Sequence, residues 1–530
     1  MTEFEPTNDE ELTGLIKEFG IKTSQEDPIP SDILHMIIEE ALPTLKLLIN
    51  QSLATGSMDG VKFSIIDPVL KKCGLDSDEK KNYRPVNNLV FFSKLIERVV
   101  SRRLNSHLKT NGLQNDKQFA YKKHHNTETM MVGLVDEALE GFEEGRCTVI
   151  VFLDLSAAFD TIDHEKLLTL LSEEIGISGT ALQWFRSFIT GRSQQVRIDN
   201  HYSEILEVLF GTPQGSVLGP EIFSLYVRNQ PKVFEKCQFN SSSFADDSNG
   251  RKSFALSFQY NVLKHDVRHC LEEITKWMNN QFLKINPDKT EILLLYPRSM
   301  ENEVIIRGTI INDQQCIRFS EEVKNVGVWI DKNLEMTNHI NKIVSHCFKI
   351  LKDIRRIRSF LTQKDTETLV HSVTSMRFDY CNSLFHKINK SNIDKLQKVQ
   401  NAAARLIVRK KKRESISETI KDLHWLRVDA RIMYKILLLV YKGVNGTSSK
   451  NIELDFKSHN YRPEDFLKLK TPFYKTKYGK RTFKYNAPRL WNALPLHIRT
   501  AETVDLFKKM VKTTLMKDTE GFKAKAFMYN

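Results

Sequence analysis

The stretch "TVIVFLDL" at 148–155 constrains this chain most. Its β-branched and aromatic residues suit a strand buried on both faces, and the run meets Asp154 without a break. A carboxylate at the end of a buried strand costs several kcal/mol unless a cation or hydrogen bonds compensate it. Asp154 therefore holds a cation, or it caps a helix starting near Ser156. Asp160 and Asp163, a few residues on, read as ordinary helix and cap acids.

A second acidic feature, "FADDSNG" at 244–250, uses residues that any solvated turn would use. The flanking "KCQFNSSSFADDSNGRKSFALSF" suggests two short strands around it. An acid on a strand end plus an acid pair in a hairpin turn is the minimum needed to hold two Mg2+ ions, which take hard oxygen ligands and leave positions open for substrate phosphates. Two such ions about 3.5–4 Å apart activate an attacking hydroxyl and stabilise a leaving pyrophosphate. Taken alone, the spacing leaves the plain turn open.

The chain has 530 residues, 41% hydrophobic and 27% charged, enough for two to four folded domains. Its 78 Lys and Arg against 66 Asp and Glu give a net charge of +12, which favours polyanionic partners. The longest apolar runs, such as "ILLLV" at 436–440, fall far short of a bilayer span, and the acidic start is no secretory signal. Seven scattered cysteines without a CxxC pair argue for free thiols in a reducing compartment. The expected location is intracellular, in nucleus or cytoplasm, neither secreted nor membrane-bound.

Helices are expected over 32–53 (apolar Ile33, Ile37, Ile38, Leu42, Leu45, Leu48), 89–108 (Leu95, Val99, Leu104), and in "HEKLLTLLSEEIG" and "TALQWFRSFITG", ended by Gly176 and Gly191. Strands are expected at 61–72, at 144–155, in the pair "SQQVRID" and "SEILEVLFGTPQG", and later in "EILLLY", "EVIIRGTIIN" and "VKNVGVWI". "HDVRHCLEEITKWMNNQFLKI" reads as a helix between them. From about 335–345 long helical patterns dominate. Four segments follow: an N-terminal helical extension (1–59), a region of mixed strands and helices (60–335), a helical region (336–450) and a basic C-terminal region (451–530).

"FLDLSAAFDTIDHEKLL", "GTPQGSVLGPEIFSLYV", "FADD" and "LKINPDKTEILLL" stand in an order and spacing that resembles the fingers–palm motifs of reverse transcriptases. They look specifically like those of non-LTR retrotransposons (LINE elements) of the jockey and chicken-repeat type. "NYRPVNNLVFFSKLIERVV", "QFAYKKHHNTETMM", "DYCNSLF", "LQKVQNAAARLI" and "APRLWNALPLHIR" extend the resemblance over about 25–515. It implies an α+β right-hand polymerase, with fingers and an antiparallel palm sheet at 60–335, followed by a mostly helical thumb-like region and the basic C-terminal region. The implied reaction is RNA-templated DNA synthesis with two Mg2+ ions, Mn2+ being the alternative, on an RNA template, a DNA primer and dNTPs. The oligomeric state is left open.

Carried over by position, the resemblance makes Asp154, Asp246 and Asp247 metal-binding catalytic acids. Phe159 becomes the gate that excludes a 2′ hydroxyl. Gln214 and Gly215 contact the nascent pair and template, Arg84 and Lys72 the triphosphate, and Lys289 supplies a proton to pyrophosphate. Plain readings stand beside these: Arg84 in a surface ion pair, Gln214 in turn chemistry, Lys289 as a solvated charge, Phe159 in a core. The sequence departs from the family pattern at Phe244 (commonly Tyr), Ala120 (commonly Gly), Asn126 (commonly Ser), Arg228 in a usually apolar helix, and "SNGRKS", which lacks an aromatic continuation. No departure removes a metal ligand. Together they open the alternative of a catalytically impaired relic that binds RNA or DNA without polymerising, and they predict a poorer hairpin.

Two basic stretches suit nucleic acid. "RKKKR" (Arg409, Lys410, Lys411, Lys412, Arg413) is either a solvated helix end, a phosphate contact or a nuclear-import signal. Residues 468–485 hold seven cations, no acid and five aromatics, which suits a single strand; Lys475, Lys477, Tyr478, Lys480 and Arg481 are the candidates. The family's apurinic-type endonuclease has no counterpart in residues 1–30, and neither a zinc knuckle nor a ribonuclease H acid set is expected.

Overall fold

The computed structural model describes residues 1–20, 27–255, 260–301, 309–311, 316–452, 454–456 and 467–527. The chain divides into two compact units, each assembled from three segments. The first comprises Met1–Tyr121, Asp154–Phe234 and Leu271–Pro287; the second comprises Lys122–Leu153, Glu235–Cys270 and Asp288–Asn530.

Up to Tyr121 the chain forms helices α1 (Asp9–Phe19), α2 (Ser31–Met36) and α3 (Ile38–Thr55), strands β1 (Phe63–Leu70) and β2 (Tyr83–Asn88), and helix α4 (Phe91–Thr110). Asn8 starts α1 by accepting the Glu11 N–H, ahead of three acids in the first turn. Helix α4 buries Leu95, Val99 and Leu104, as its apolar spacing requires. In α2 and α3 the buried face differs from the expected one. Leu34, Ile49 and Leu53 are buried, whereas Ile33, Ile37 and Leu48 are exposed. Ile37, at φ −108° and ψ 28°, separates the two helices and resets their phase, so no single face runs from 33 to 48.

Helix α5 (Thr127–Glu143) and strand β3 (Arg146–Leu153) follow. Asn126 opens α5 with a reciprocal capping box to Thr129, so this departure from Ser supplies an equally good cap. Next come β4 (Leu155–Ser156), α6 (His164–Glu173), α7 (Gly179–Ile189), β5 (Arg192–Ile198), β6 (His201–Tyr202), β7 (Leu206–Val208), α8 (Gly219–Tyr226) and α9 (Gln230–Lys236). The strand expected in "SEILEVLFGTPQG" is only three residues long, because the glycine-rich part turns away. Arg228 lies past the end of α8, where its guanidinium reaches the Glu174 carboxylate at 3.9 Å instead of interrupting an apolar face.

The chain continues through β8 (Asn240–Phe244), β9 (Asp247–Ala255), α10 (Tyr260–Asn280), β10 (Lys284–Ile285), β11 (Glu291–Leu295), β12 (Thr309–Ile311), β13 (Cys316–Ser320), β14 (Glu322–Asn325) and β15 (Val328–Asp331). Most of "EVIIRGTIIN", residues 303–308, lies outside the described residues. Among the described residues after β15 all regular elements are helical, beginning with α11 (Thr337–Ile357) and including α12 (Gln363–Val370), α13 (Met376–Asp379), α14 (Lys390–Val408), α15 (Ser417–Asp422), α16 (Val428–Val444) and α17 (Phe483–Ala493).

In the first unit β1 pairs antiparallel with β2 and parallel with β5, which also carries β6 and β7. Its core gathers Leu95, Val99, Leu167 and Phe223 around Trp184, whose ring stacks on Phe188 at 5.6 Å. In the second unit a six-stranded sheet runs β12-β13-β11-β3-β9-β8, with β3 antiparallel to both β9 and β11. The sheet is not wholly antiparallel: β11 and β13 run parallel, since the chain leaves β11 and returns through the β12–β13 pair. A separate helical core packs Cys347, Leu351, Val399, Ile407 and Trp425. Among the described residues no helix is long and apolar enough to cross a membrane, and Cys73, Cys147, Cys237, Cys270, Cys347 and Cys381 are free thiols.

Asp136 on α5 caps α17: its buried carboxylate accepts the N–H groups of Phe483 (2.7 Å) and Lys484 (3.0 Å). Burial pushes this carboxyl up to about 7 from 3.8, with the two N–H groups opposing the rise. A raised carboxyl binds its proton in the folded state first. Its stabilising contribution is therefore complete below pH about 4 and declines as pH rises through 7. In urea unfolding, wild type is expected to lose stability relative to Asp136→Asn between pH 4 and 7, at up to about 1.4 kcal/mol per pH unit. A pH-independent difference between the two proteins refutes this assignment.

Candidate functional site

Strand β3 fixes one edge of the site region. Its last residue, Leu153, pairs with Ser248 of β9, and the ladder runs unbroken back to Arg146 opposite Ala255. Strand β8 pairs with β9 from Asn240–Arg251 to Phe244–Asp247. The hairpin turn is therefore the two residues Ala245 and Asp246, and Asp247 opens β9. Ala245 takes φ +56°, the conformation that a tight hairpin asks of its first central residue and that glycine usually fills. "FADD" is thus a turn whose geometry is stored in an alanine. Asp246 and Asp247 are half-buried.

The poorer hairpin expected from "SNGRKS" does not occur, for a polar reason. Asn249 and Arg251 are buried on β9. Arg251 donates through Nε to Glu137 of α5 at 2.6 Å, and through Nη1 to Ser242 Oγ (3.0 Å) and Asn249 Oδ1 (3.1 Å). Thr148 and Ser253 share a hydroxyl bond of 2.8 Å across β3 and β9. A satisfied hydrogen-bond network replaces aromatic packing, and β9 reaches nine residues.

Asp154 follows β3 and caps no helix. The next residues form β4, whose two residues pair with Lys284 and Ile285, and the Asp154 carbonyl accepts the Asn286 N–H at 2.8 Å. Asp163 is the cap foreseen for it, accepting the Lys166 N–H at 2.8 Å. Asp160 is not a helix acid. It sits in a turn, and both its oxygens accept from Gln214 Nε2 at 2.9 Å. Crowding of this carboxyl raises its pKa, and the Gln214 amide partly offsets the rise. Among the described residues no three His, Cys, Asp or Glu side chains are gathered closely enough to hold a metal ion.

The "GTPQGSVLGP" loop is held by close backbone approaches. Thr212 N–H donates to the Phe159 carbonyl (3.0 Å), and the Asn87 N–H of β2 donates to the Gln214 carbonyl (2.8 Å). Gly215 lies at φ +127°, and a Cβ there would sit 2.7 Å from the Asn87 carbonyl oxygen. The Phe159 ring is half-buried, 4.9 Å from the ring of Phe223, so it is partly core. A residue not foreseen from sequence anchors the loop from below. Glu97 of α4 is wholly buried and accepts the N–H groups of Val217 (2.7 Å) and Leu218 (3.1 Å). Burial raises its pKa, while those N–H groups and Ser93 favour the carboxylate. The signal was available: a glutamate standing among the apolar Ile96, Val99 and Val100 has to find donors inside.

The cations divide into open and engaged. Arg84 on β2 is exposed and pairs with no carboxylate among the described residues, against the ion-pair reading. Lys72 is exposed, and exposed Lys289 ends a single 3-10 turn, Pro287–Lys289. Helix α14 stops at Val408, with Arg409 at φ +58° as its cap. Lys410 donates to Thr419 Oγ1 at 2.7 Å, while Lys411, Lys412 and Arg413 are exposed. In 468–485 packing claims most of the rings expected to stack on bases. Tyr478 is buried edge-on to Phe142 at 5.3 Å and accepts the Arg298 N–H; Phe483 and Tyr485 are buried; Tyr474 donates to Glu140. Arg481 is likewise taken, donating to the Leu334 carbonyl at 2.6 Å. Phe473 remains 83% exposed, and Lys475 and Lys477 are open.

Residues 70–330 match the family model described as "Reverse transcriptase (RNA-dependent DNA polymerase)". The chain is 26% identical over 420 residues to the Drosophila melanogaster "Probable RNA-directed DNA polymerase from transposon BS", covering 76% of this chain and 44% of that protein. It is 25% identical over 346 residues to the Drosophila melanogaster "RNA-directed DNA polymerase from mobile element jockey", covering 63% and 36%. A more distant similarity, 25% over 204 residues, is to the "Putative COX1/OXI3 intron 2 protein" of Saccharomyces cerevisiae, covering 37% and 22%. The chain thus spans less than half the length of these relatives.

Glu97→Ala is expected to leave the Val217 and Leu218 N–H groups without their acceptor, at about 1–3 kcal/mol for each buried donor left unsatisfied. Its unfolding midpoint should fall, and limited proteolysis should cut first in 211–219. Equal proteolytic resistance of that loop in variant and wild type refutes the anchoring role.

Proposed function

We propose, from the match of residues 70–330 to the reverse transcriptase family model, that this chain is an RNA-directed DNA polymerase of the non-LTR retrotransposon kind, built as a right-hand polymerase with fingers, palm and a helical thumb-like region. It extends a DNA primer on an RNA template with dNTPs. The observation that carries the reading is the register of β3 on β9. Asp154 follows the paired Leu153 directly, and Asp247 precedes the paired Ser248 directly, so both strands of one ladder step run into acids.

Reverse transcriptases generally depend on divalent metal ions. Asp154, Asp246 and Asp247 carry the hard carboxylate oxygens that Mg2+ or Mn2+ takes and are the acids proposed as ligands, although among the described residues no three acids are gathered closely enough to hold an ion. When bound, these ions supply Lewis-acid stabilisation of charge on the reacting oxygens. The chain's own residues do the rest. Phe159, braced by Phe223, offers a bulky ring against a 2′ hydroxyl. Gln214, oriented by Asp160, and Gly215, with no side chain, bring the loop backbone to the nascent base pair. Arg84 and Lys72 are open cations for the triphosphate, and Lys289 gives a proton to the leaving pyrophosphate. Lys411, Lys412 and Arg413 form an exposed phosphate contact for template or primer.

Purified full chain is expected to extend a DNA primer annealed to RNA, and Asp246→Asn to reduce that extension by at least about a thousandfold. Arg84→Ala should raise the KM for dNTP more than it lowers kcat. Equal extension by wild type and Asp246→Asn sinks the catalytic assignment. Salt-sensitive RNA binding with no extension by wild type identifies a relic instead.

A further inference from the structure

A cavity of about 570 Å³ opens in the second unit where the segment 477–481 meets Lys387 and Arg298. Five of its lining side chains are cations: Arg298, Lys387, Lys477, Lys480 and Arg481. Its one carboxylate, Glu335, is bonded to Arg298 at 2.9 Å. The ammonium groups of Lys387, Lys477 and Lys480 pair with no carboxylate among the described residues. Lys387 instead lies 4.0 Å from the ring of Phe527 and 5.4 Å from that of Tyr485. Burial, with Arg489 and Lys480 nearby, pulls its pKa down to about 8. Five cations against one carboxylate, itself bonded to Arg298, leave excess positive charge around the cavity, and an anion entering there relieves the repulsion.

We propose that this cavity binds the phosphodiester backbone of a single nucleic-acid strand. A strand fits better than an isolated phosphate, because the cations come from three separate stretches of chain, Arg298, Lys387 and the segment 477–481, around a cavity of about 570 Å³. The same segment also carries exposed Phe473, four residues before Lys477, as a surface on which a base stacks. Tyr478 and Arg481 form its wall rather than its contacts, since the ring packs on Phe142 and the guanidinium is held by Leu334. The site rests on the reading that the chain handles nucleic acid but not on its polymerising, and most of its lining lies beyond residue 330.

The test is fluorescence anisotropy of full chain with labelled single-stranded oligonucleotide across a salt series, alongside primer extension. The triple variant Lys387→Gln, Lys477→Gln, Lys480→Gln is expected to bind at least about tenfold more weakly. Its slope of log K against log salt should fall by about 2, at roughly 0.7 per single-strand phosphate contact. A control triple, Lys352→Gln, Lys364→Gln, Lys398→Gln, removes equal charge from exposed helix positions and should leave the slope nearly unchanged. An unchanged slope in the first triple overturns the proposal, as does an equal fall in both triples. Loss of inorganic phosphate binding with an unchanged oligonucleotide slope also overturns it, marking a small-anion site. Should the triple fail to fold by thermal melting, Lys477→Gln alone decides, with an expected slope change of about 0.7. Wild type that binds but does not extend leaves this site standing and removes only the polymerase reading.

Discussion

The pairing of β3 with β9 is the interaction on which the second unit's sheet depends. β3 sits at its centre, with β11 and β9 on either side, and every residue from Cys147 to Leu153 is buried. A strand so placed has all its backbone groups taken by neighbours, and a one-residue slip would turn its whole apolar set over. The register of β9 is thereby fixed, and with it the position of the two-residue turn. The acids at 246 and 247 are placed by hydrophobic burial several residues away.

That dependence explains how β9 tolerates its polar sequence. A central strand normally wins its place by packing β-branched or aromatic side chains. Here Asn249 and Arg251 are buried, but Asn249 accepts from the Ser242 hydroxyl and from Arg251, and Arg251 donates to Glu137, so the desolvation cost is met by hydrogen bonds, those of Arg251 charge-assisted. The network involves α5 as well as the sheet, which ties the hairpin to the helix layer.

In the first unit the corresponding constraint is Glu97. Two loop N–H groups and one buried carboxylate satisfy one another, and neither could stay buried alone. Around that anchor, Gly211 and Gly215 let the loop approach Phe159–Asp160 and Asn87 more closely than any side chain would permit. The orientation of Gln214 toward Asp160 follows from the same approach.

The sequence by itself determined the strand–acid run at 148–155, the amphipathic face of α4, the hairpin around "FADD" and the shift to helices after residue 335. Each rests on local periodicity or turn chemistry, which neighbouring residues set. The ordered motifs carried the resemblance to reverse transcriptases as well, and the family model matches over residues 70–330. Only the tertiary structure decided which polar groups share a partner. Glu97 with the 217–218 backbone, Asp160 with Gln214, Arg251 with Glu137, and Asp136 with the start of α17 join residues from 54 to 347 positions apart. It also decided that Tyr478 and Arg481 belong to packing. A basic, aromatic segment has the same composition whether its rings face bases or a helix, and burial against Phe142 is a long-range fact that no local pattern carries.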